Sequence, residues 1–158
     1  MNNNDVLRRL RFALRQNDAE VMRLCTLVNV ALGEADLKTY LSKEGDFDFV
    51  PCPDFVLAAF LDGLVLHRRG PPSGPPRPVE ARFDNNMILK KLRIALELKE
   101  PDMLALLELG GMKVSASELG GLFRSEGHKH YRPCGDQLLR NFLKGLTVKL
   151  RGVGAGEA

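Results

Sequence analysis

The sequence predicts an all-α protein built from two homologous repeats. Apolar residues recur at the three- and four-residue spacing of a helix that packs on one face, and no stretch keeps the alternation of a strand. A shift of 82 residues aligns residues 85–152 with residues 3–70 without a gap, and 22 of the 68 aligned positions are identical. Because 44% of the 158 residues are hydrophobic, the chain can form a packed core, which excludes wholesale disorder.

Local signals mark the first two helices of each repeat. Asparagine side chains accept hydrogen bonds from the free N–H groups at a helix start, so Asn3 and Asn85 indicate where the first helices begin. The second helices are predicted to begin near Asp18 and Pro101, since proline suits the first turn of a helix. The glycine pair 110–111 then favours a helix end.

The third and fourth helices have their own signals. Ser115 and Glu118 fit a capping box at the start of the third helix of the second repeat. The fourth helices follow the Pro-Cys segments 51–54 and 133–136. A glycine inside the fourth helix, Gly63 in the first repeat, costs about 1 kcal/mol relative to alanine. Its presence in both repeats predicts a close helix–helix contact at that position.

The composition divides the chain into four segments. Residues 1–70 form the first repeat and residues 83–152 the second, joined by a linker over residues 71–82 that holds five of the nine prolines. Residues 153–158 have nothing to bury and are predicted to be a flexible tail. Because a unit of about 70 residues has a marginal core of its own, the repeats are predicted to pack as a pseudo-twofold unit.

Composition also limits where the protein works. The longest apolar run, residues 55–61, is seven residues long, against about 20 for a membrane-spanning helix. The first five residues have no feature of a secretion signal. Cys25, Cys52 and Cys134 make an odd and sparse set, which is typical of free thiols in a reducing compartment. We therefore expect a cytoplasmic protein without membrane association.

The repeats share motifs beyond their helical pattern. These motifs are Asn-Asn-Asp at 3–5, Pro-Cys-Pro-Asp at 51–54, Phe-Leu-Asp-Gly-Leu at 60–64, Asn-Asn at 85–86, Cys-Gly-Asp-Gln at 134–137 and Phe-Leu-Lys-Gly-Leu at 142–146. Over residues 3–152 the set resembles the YehS-like family of uncharacterised bacterial proteins. The resemblance implies a duplicated architecture in a bacterial cytosol, and it implies no activity and no catalytic residues.

The formal net charge of +3 is unevenly distributed. Residues 1–70 carry 9 basic and 10 acidic side chains, whereas residues 83–152 carry 12 basic and 8 acidic ones. Phosphates would be attracted to the second repeat, so nucleic-acid binding there is one hypothesis, with a solvated surface as its alternative. The candidate binding residues are Arg124, Lys129, Arg132, Arg140, Lys144 and Arg151. The last three fall with Thr147 on one side of a helical wheel.

One loop holds the residue types that bind metals. His128, His130 and Cys134 are possible zinc ligands, although their spacing fits no strong zinc motif and a polar loop is the simpler interpretation. A helix N-terminus lowers the pKa of a thiol, which makes Cys52 and Cys134 redox candidates, with a packing role as the alternative. A metal- or thiol-dependent activity at this loop is thus a further hypothesis.

No sequence motif indicates catalysis. The chain has no nucleophile elbow, no phosphate-binding glycine-rich loop and no His-Glu-x-x-His pattern. The sequence therefore favours a non-catalytic interaction or regulatory protein whose partner is a macromolecule, a protein more than a nucleic acid. We expect no cofactor and no catalytic residue, and assembly into a homo-oligomer is compatible with the sequence.

Overall fold

Eight helices make up the part of the chain that the structure describes. The computed structural model describes residues 1–74 and 82–152, and no strand occurs among them. The helices are α1 (Asn3–Ala13), α2 (Asp18–Leu27), α3 (Glu34–Tyr40), α4 (Asp54–Arg69), α5 (Asn85–Ala95), α6 (Glu100–Leu109), α7 (Ala116–Leu122) and α8 (Asp136–Arg151). Each helix of the second repeat begins and ends 82 residues after its counterpart. The predicted all-α fold of two homologous repeats is confirmed.

Side-chain caps set the helix starts that the sequence predicts. The side chain of Asn2 accepts a hydrogen bond from the Asp5 N–H at 2.8 Å and caps α1. Asn17 caps α2 in the same way, with an N–H of the first turn at 2.9 Å. Ser115 and Glu118 form the predicted capping box of α7. Because each cap satisfies a donor that the helix itself leaves free, local sequence determines these boundaries.

The first helix of each repeat packs mainly against the other repeat. Within each repeat the second helix contacts the fourth, α2 on α4 and α6 on α8. Across the repeats, α1 lies along α8, and α5 lies along α4. Phe60 and Phe142, both without exposed surface, belong to one continuous core. Since neither repeat covers its apolar faces alone, the two form the pseudo-twofold unit that the sequence predicts.

Contacts at both ends of α8 show that it runs parallel to α1. The N-terminal amine of Met1 lies 2.9 Å from the carboxylate of Asp136, in the first turn of α8. The guanidinium of Arg151, in the last turn of α8, stacks over the ring of Phe12 near the end of α1, 4.2 Å from its centroid. The two helices therefore point in the same direction.

The pseudo-equivalent pair, α4 and α5, is also parallel. Lys91 in the middle of α5 lies 2.6 Å from Asp62 in the middle of α4. Arg69 at the end of α4 forms an ion pair with Glu97, just after α5. The same relative direction therefore holds in both cross-repeat interfaces.

Asparagine side chains join the starts of these four helices. The Asn3 side chain donates to the carboxylate of Asp54 at 2.7 Å, which places the first turn of α1 beside that of α4. Asn85 donates to Asp136 at 2.8 Å and joins α5 to α8 in the same way. The first turns of all four helices therefore lie at one end of the molecule, which we call the N-terminal end of the bundle.

A second asparagine in each repeat holds the loop before the fourth helix. Asn4 is 1% exposed; it donates to the Val50 carbonyl and accepts from the Cys52 N–H, both at 2.8 Å. Asn86 accepts from the Cys134 N–H at 2.8 Å. The recurring Asn and Cys positions of the sequence motifs thus have a structural role, because they satisfy backbone groups that the loop leaves unpaired.

The helical glycines lie where two backbones touch. A Cβ added to Gly63 would overlap the backbone carbonyl of Leu24, where α4 crosses α2. At Gly145 it would overlap the carbonyl of Leu106, where α8 crosses α6. The close helix–helix contact predicted from these glycines is therefore present in both repeats.

Two sequence predictions fall mainly outside the described residues. The predicted extended linker falls mainly on residues 75–81, and the predicted flexible tail falls on residues 153–158. Both ranges lie outside the described residues. Among the helices that the structure describes, none has the length and apolar character needed to cross a membrane.

Candidate functional site

The histidines of the predicted metal loop lie close together on the surface. The ring centroids of His128 and His130 are 5.5 Å apart, and Nδ1 of His128 accepts a hydrogen bond from the His130 N–H at 3.0 Å. Cys134 is buried beneath the loop. Within residues 1–74 and 82–152, no three or more His, Cys, Asp or Glu side chains gather as metal ligands would. This geometry adds no support to the metal hypothesis.

Burial, not the helix N-terminus, dominates the chemistry of the thiols. Cys25, Cys52 and Cys134 are all free and buried. Burial is the main cause that raises the pKa of Cys52 to about 12 and that of Cys134 to about 12. The thiolate is the reactive form, so these environments disfavour the redox role and favour packing.

The three basic candidates of the loop before α8 have different surroundings. Arg132 forms an ion pair with Glu118 of α7 at 2.6 Å. Lys129 is exposed at the loop surface. Arg124 lines an open cleft of about 450 Å³, together with Phe123 and Tyr131. These side chains therefore do not converge on one point.

The cleft in the second repeat lies where the two repeats differ in sequence. In the first repeat, Arg8 pairs with Asp5 at 2.6 Å and donates to the Ser42 carbonyl at 3.4 Å. The counterpart of Asp5 is Met87, which cannot form this ion pair and which lines the cleft. Arg82, also at the cleft, forms ion pairs with two acidic residues that line it.

The three basic candidates of α8 lie along the edge of the α1–α8 interface. Lys144 is exposed, Arg140 is half-buried, and Arg151 stacks on Phe12 of α1. Thr147, which the helical wheel places among them, is 2% exposed and donates to a carbonyl of its own helix. The predicted stripe is therefore the border between the buried and the exposed surface of α8.

Equivalent positions of the two cross-repeat interfaces differ in charge. In the α4–α5 interface, Asp62 and Lys91 form an ion pair. The pseudo-equivalent residues of the α1–α8 interface are Lys144 and Arg9, which are both cationic. The duplication has thus left an attractive pair on one side of the molecule and two like charges on the other.

A second pair of positions shows the same difference. Arg69 and Glu97 form an ion pair at the end of the α4–α5 interface. Their counterparts are Arg151 and Arg15. Both ion pairs of one interface therefore correspond to like charges in the other.

We call the cationic residues along the α1–α8 interface the basic strip. Its members are Arg9, Arg15, Arg140, Lys144 and Arg151. None of them has an ion-pair partner within residues 1–74 and 82–152. The nearby acidic side chains are already engaged, since Asp5 pairs with Arg8 and Asp136 with the Met1 amine.

Arg9 has the most constrained environment in the basic strip. It is half-buried, and its Nε is buried without a hydrogen-bond partner. Burial lowers the pKa of its guanidinium; Asp5 opposes this effect, and the charges of Arg8 and Arg140 add to it. A cation in such surroundings gains from any anion that comes close.

Family comparison agrees with the duplicated architecture. The model of the family described as "Protein of unknown function (DUF1456)" matches residues 3–70 and, a second time, residues 85–152. The chain belongs to this family. The two matches contain the eight helices of the described residues, so each repeat of the fold corresponds to one copy of the DUF1456 unit.

A bacterial relative matches nearly the whole chain. The chain is 42% identical over 150 residues to the uncharacterized protein YehS of Escherichia coli strain K12, covering 94% of this chain and 96% of that protein. The resemblance to the YehS-like family is therefore confirmed. No solved structure matches this chain.

Part of the basic strip cannot be found from the sequence of one helix alone. The helical wheel of α8 finds Arg140, Lys144 and Arg151, but it cannot show which helix lies beside them. Arg9 and Arg15 belong to a repeat that is slightly acidic in total, so its net charge conceals them. The signal in the sequence that could have found Arg9 and Arg15 is the alignment of the two repeats. In that alignment, two oppositely charged pairs of one interface correspond to two like-charged pairs of the other.

Proposed function

We propose that this protein is a non-catalytic, cytoplasmic nucleic-acid-binding protein that holds the phosphate backbone along the basic strip. The observation that carries the proposal is the replacement of both ion pairs of the α4–α5 interface by like charges in the α1–α8 interface. Like charges at a packed interface lower stability, and a polyanion would compensate them. A nucleic acid carries such negative charges along its whole backbone, so we choose it over the protein partner that the sequence favours.

The dimensions of the basic strip suit a run of phosphates. Arg140 and Arg151 are eleven residues apart on one helix, which corresponds to about 16 Å at 1.5 Å per residue. Arg9 in α1 and Arg15 just after α1 extend the strip beyond α8. This length spans several phosphates of a nucleic-acid strand, and all five side chains of the strip are arginine or lysine.

Binding along the strip is expected to be insensitive to base sequence. Phe12 is covered by Arg151 and so does not offer a free ring on which a base stacks. Contacts to phosphates position a nucleic acid without distinguishing its bases. With five cations involved, the slope of log K against log salt concentration should be about −3 to −4 for a single strand.

The first experiment measures this salt dependence. Fluorescence anisotropy with a labelled 20-nucleotide oligothymidine, and in parallel with a 20-base-pair duplex, gives the affinity of nuclease-treated protein between 50 and 300 mM salt. We expect binding that weakens steeply with salt and does not change with base composition.

The decisive variant copies one interface onto the other. Lys144→Asp and Arg15→Glu together place at the α1–α8 interface the carboxylates that Asp62 and Glu97 supply at the α4–α5 interface. Arg15 has a positive φ of 55°, and its counterpart Glu97 has nearly the same φ of 54°. A glutamate therefore fits the backbone at position 15. We expect the affinity at 50 mM salt to fall roughly tenfold or more.

A matched control changes the net charge equally at other positions. Lys38→Asp with Lys113→Asp removes two exposed lysines, one from α3 and one from the segment after α6. This variant should bind nearly as well as the parent protein. Absence of binding by the parent protein, or equal losses in the two variants, would contradict the proposal.

A further inference from the structure

The loop before α4, residues 42–53, exposes large apolar side chains; we call it loop 1. Phe47 is fully exposed, and Val50 is 44% exposed. Phe55, in the first turn of α4 directly after the loop, is 63% exposed. Exposed apolar side chains that cluster within nine residues are typical of a surface that another molecule covers.

The equivalent loop of the second repeat, residues 124–135, has the opposite character; we call it loop 2. Lys129, Arg132 and Gln137 replace the three exposed apolar residues of the first repeat. Residues 42–54 carry one basic and four acidic side chains, whereas residues 124–136 carry three basic and two acidic ones. Loop 1 is therefore apolar and acidic, and loop 2 is basic.

Both loops reach the same end of the molecule. Loop 1 leads into the first turn of α4, and loop 2 leads into the first turn of α8. These turns are joined to the starts of α1 and α5 through Asn3 and Asn85, so both loops lie at the N-terminal end of the bundle. This end presents an acidic, apolar half beside a basic half, related by the pseudo-twofold axis.

We propose that this end binds a second copy of the same chain. If two molecules meet end to end about a twofold axis perpendicular to the helices and to the line that joins the two loops, loop 1 of each faces loop 2 of the other. The arrangement is isologous, so it closes as a dimer and leaves no complementary surface for further growth. Acidic side chains then face basic ones twice, and the exposed phenylalanines lie against cationic side chains, a favourable cation–π arrangement.

Charge reversal in each loop tests this interface. Arg124→Asp with Lys129→Asp makes loop 2 acidic, and neither side chain has an ion-pair partner within the described residues. Glu44→Lys with Asp48→Lys makes loop 1 basic; Glu44 makes no side-chain hydrogen bond there, and Asp48 accepts one from Ser42. Each variant alone should raise the dissociation constant of the dimer at least about tenfold.

Mixing the two variants provides the most specific result. The acidic loops of the first variant complement the basic loops of the second, so an equimolar mixture should form a heterodimer although each variant alone is monomeric. Phe47→Ser should also weaken the dimer without lowering the stability of the fold, because the ring is fully exposed. The control variant with Lys38→Asp and Lys113→Asp should dimerise like the parent protein.

Sedimentation velocity of nucleic-acid-free protein at 50 mM salt measures these outcomes. We expect a species of twice 17.5 kDa for the parent protein, with dissociation at 500 mM salt as the charges are screened. A parent protein that is monomeric up to 100 µM overturns the proposal. So does a dimer that survives both charge reversals, and so does a mixture of the variants that stays monomeric.

Discussion

The backbone N–H of Cys52 donates to Oδ1 of the buried Asn4 at 2.8 Å, and the same bond recurs between Cys134 and Asn86 at 2.8 Å. In each repeat it connects residues 48 positions apart, because it attaches the first helix to the loop before the fourth. The most distinctive motif residues of the sequence thus hold each repeat together.

Replacing Asn4 by alanine should destabilise the protein. The substitution leaves the Cys52 N–H and the Val50 carbonyl without their partner in a buried place. We expect a loss of about 2–4 kcal/mol in the free energy of unfolding, measured by urea denaturation. Asn3→Ala, which removes bonds at a more exposed position, should cost clearly less. Similar losses for the two variants would contradict this role of Asn4.

Gly63→Ala should be among the most damaging single substitutions in the chain. The added methyl group overlaps the carbonyl of Leu24, so α2 and α4 must separate, at a cost of about 3 kcal/mol. Gly120→Ala is the matched control, since that glycine is also helical but has open space around it. There alanine should raise stability by about 0.5–1 kcal/mol. Equal effects in urea denaturation would refute the close contact.

Local chemistry explains why much of the fold follows from the sequence. Caps such as Ser115 with Glu118 act within one helical turn, and the spacing of apolar residues needs no knowledge of the partner helix. The close approach at Gly63 is also predictable, because an unfavourable residue is kept at both copies of one position. Each of these signals depends on residues that lie near each other in the chain.

Partner choice is not a local property. The apolar stripe of α1 could pack against α4 of its own repeat or against α8 of the other repeat, because α4 and α8 have the same spacing of apolar residues. The proline-rich linker is long enough for either arrangement. For this reason the sequence finds Arg140 and Lys144 but misses Arg9, whose importance depends on the helix beside it.

The buried thiols should be unreactive in the native protein. Burial raises the pKa of Cys25 to about 11 and those of Cys52 and Cys134 to about 12. A colour-forming aromatic disulfide reagent at pH 8 should therefore modify none of the three rapidly in the native protein. After denaturation it should modify all three. Their pKa values are raised above the ordinary value of 9.0, so the unfolded chain ionises first. The stability that burial provides is therefore complete below pH 9 and declines as the pH rises towards 12. Rapid modification of one native thiol would contradict this.

Lys144→Asp alone should stabilise the protein at low salt. The new carboxylate takes the place that Asp62 has beside Lys91, and it supplies Arg9 with the partner it lacks. Because such pairs are partly exposed, the expected gain is about 0.5 kcal/mol in urea denaturation at 20 mM salt.

The reciprocal substitution, Asp62→Lys, tests the same reasoning in the opposite direction. It removes the partner of Lys91 and copies the charges of the basic strip onto the α4–α5 interface. We expect lower stability at 20 mM salt and recovery as salt screens the like charges, whereas Lys144→Asp should reduce the salt dependence of the parent protein. If both substitutions shift stability in the same direction, the strip is not a site of unbalanced charge. Opposite shifts would mean that the unpaired cations lower the stability of the α1–α8 interface. This is expected of a surface whose charges are balanced by the anionic groups of a bound partner.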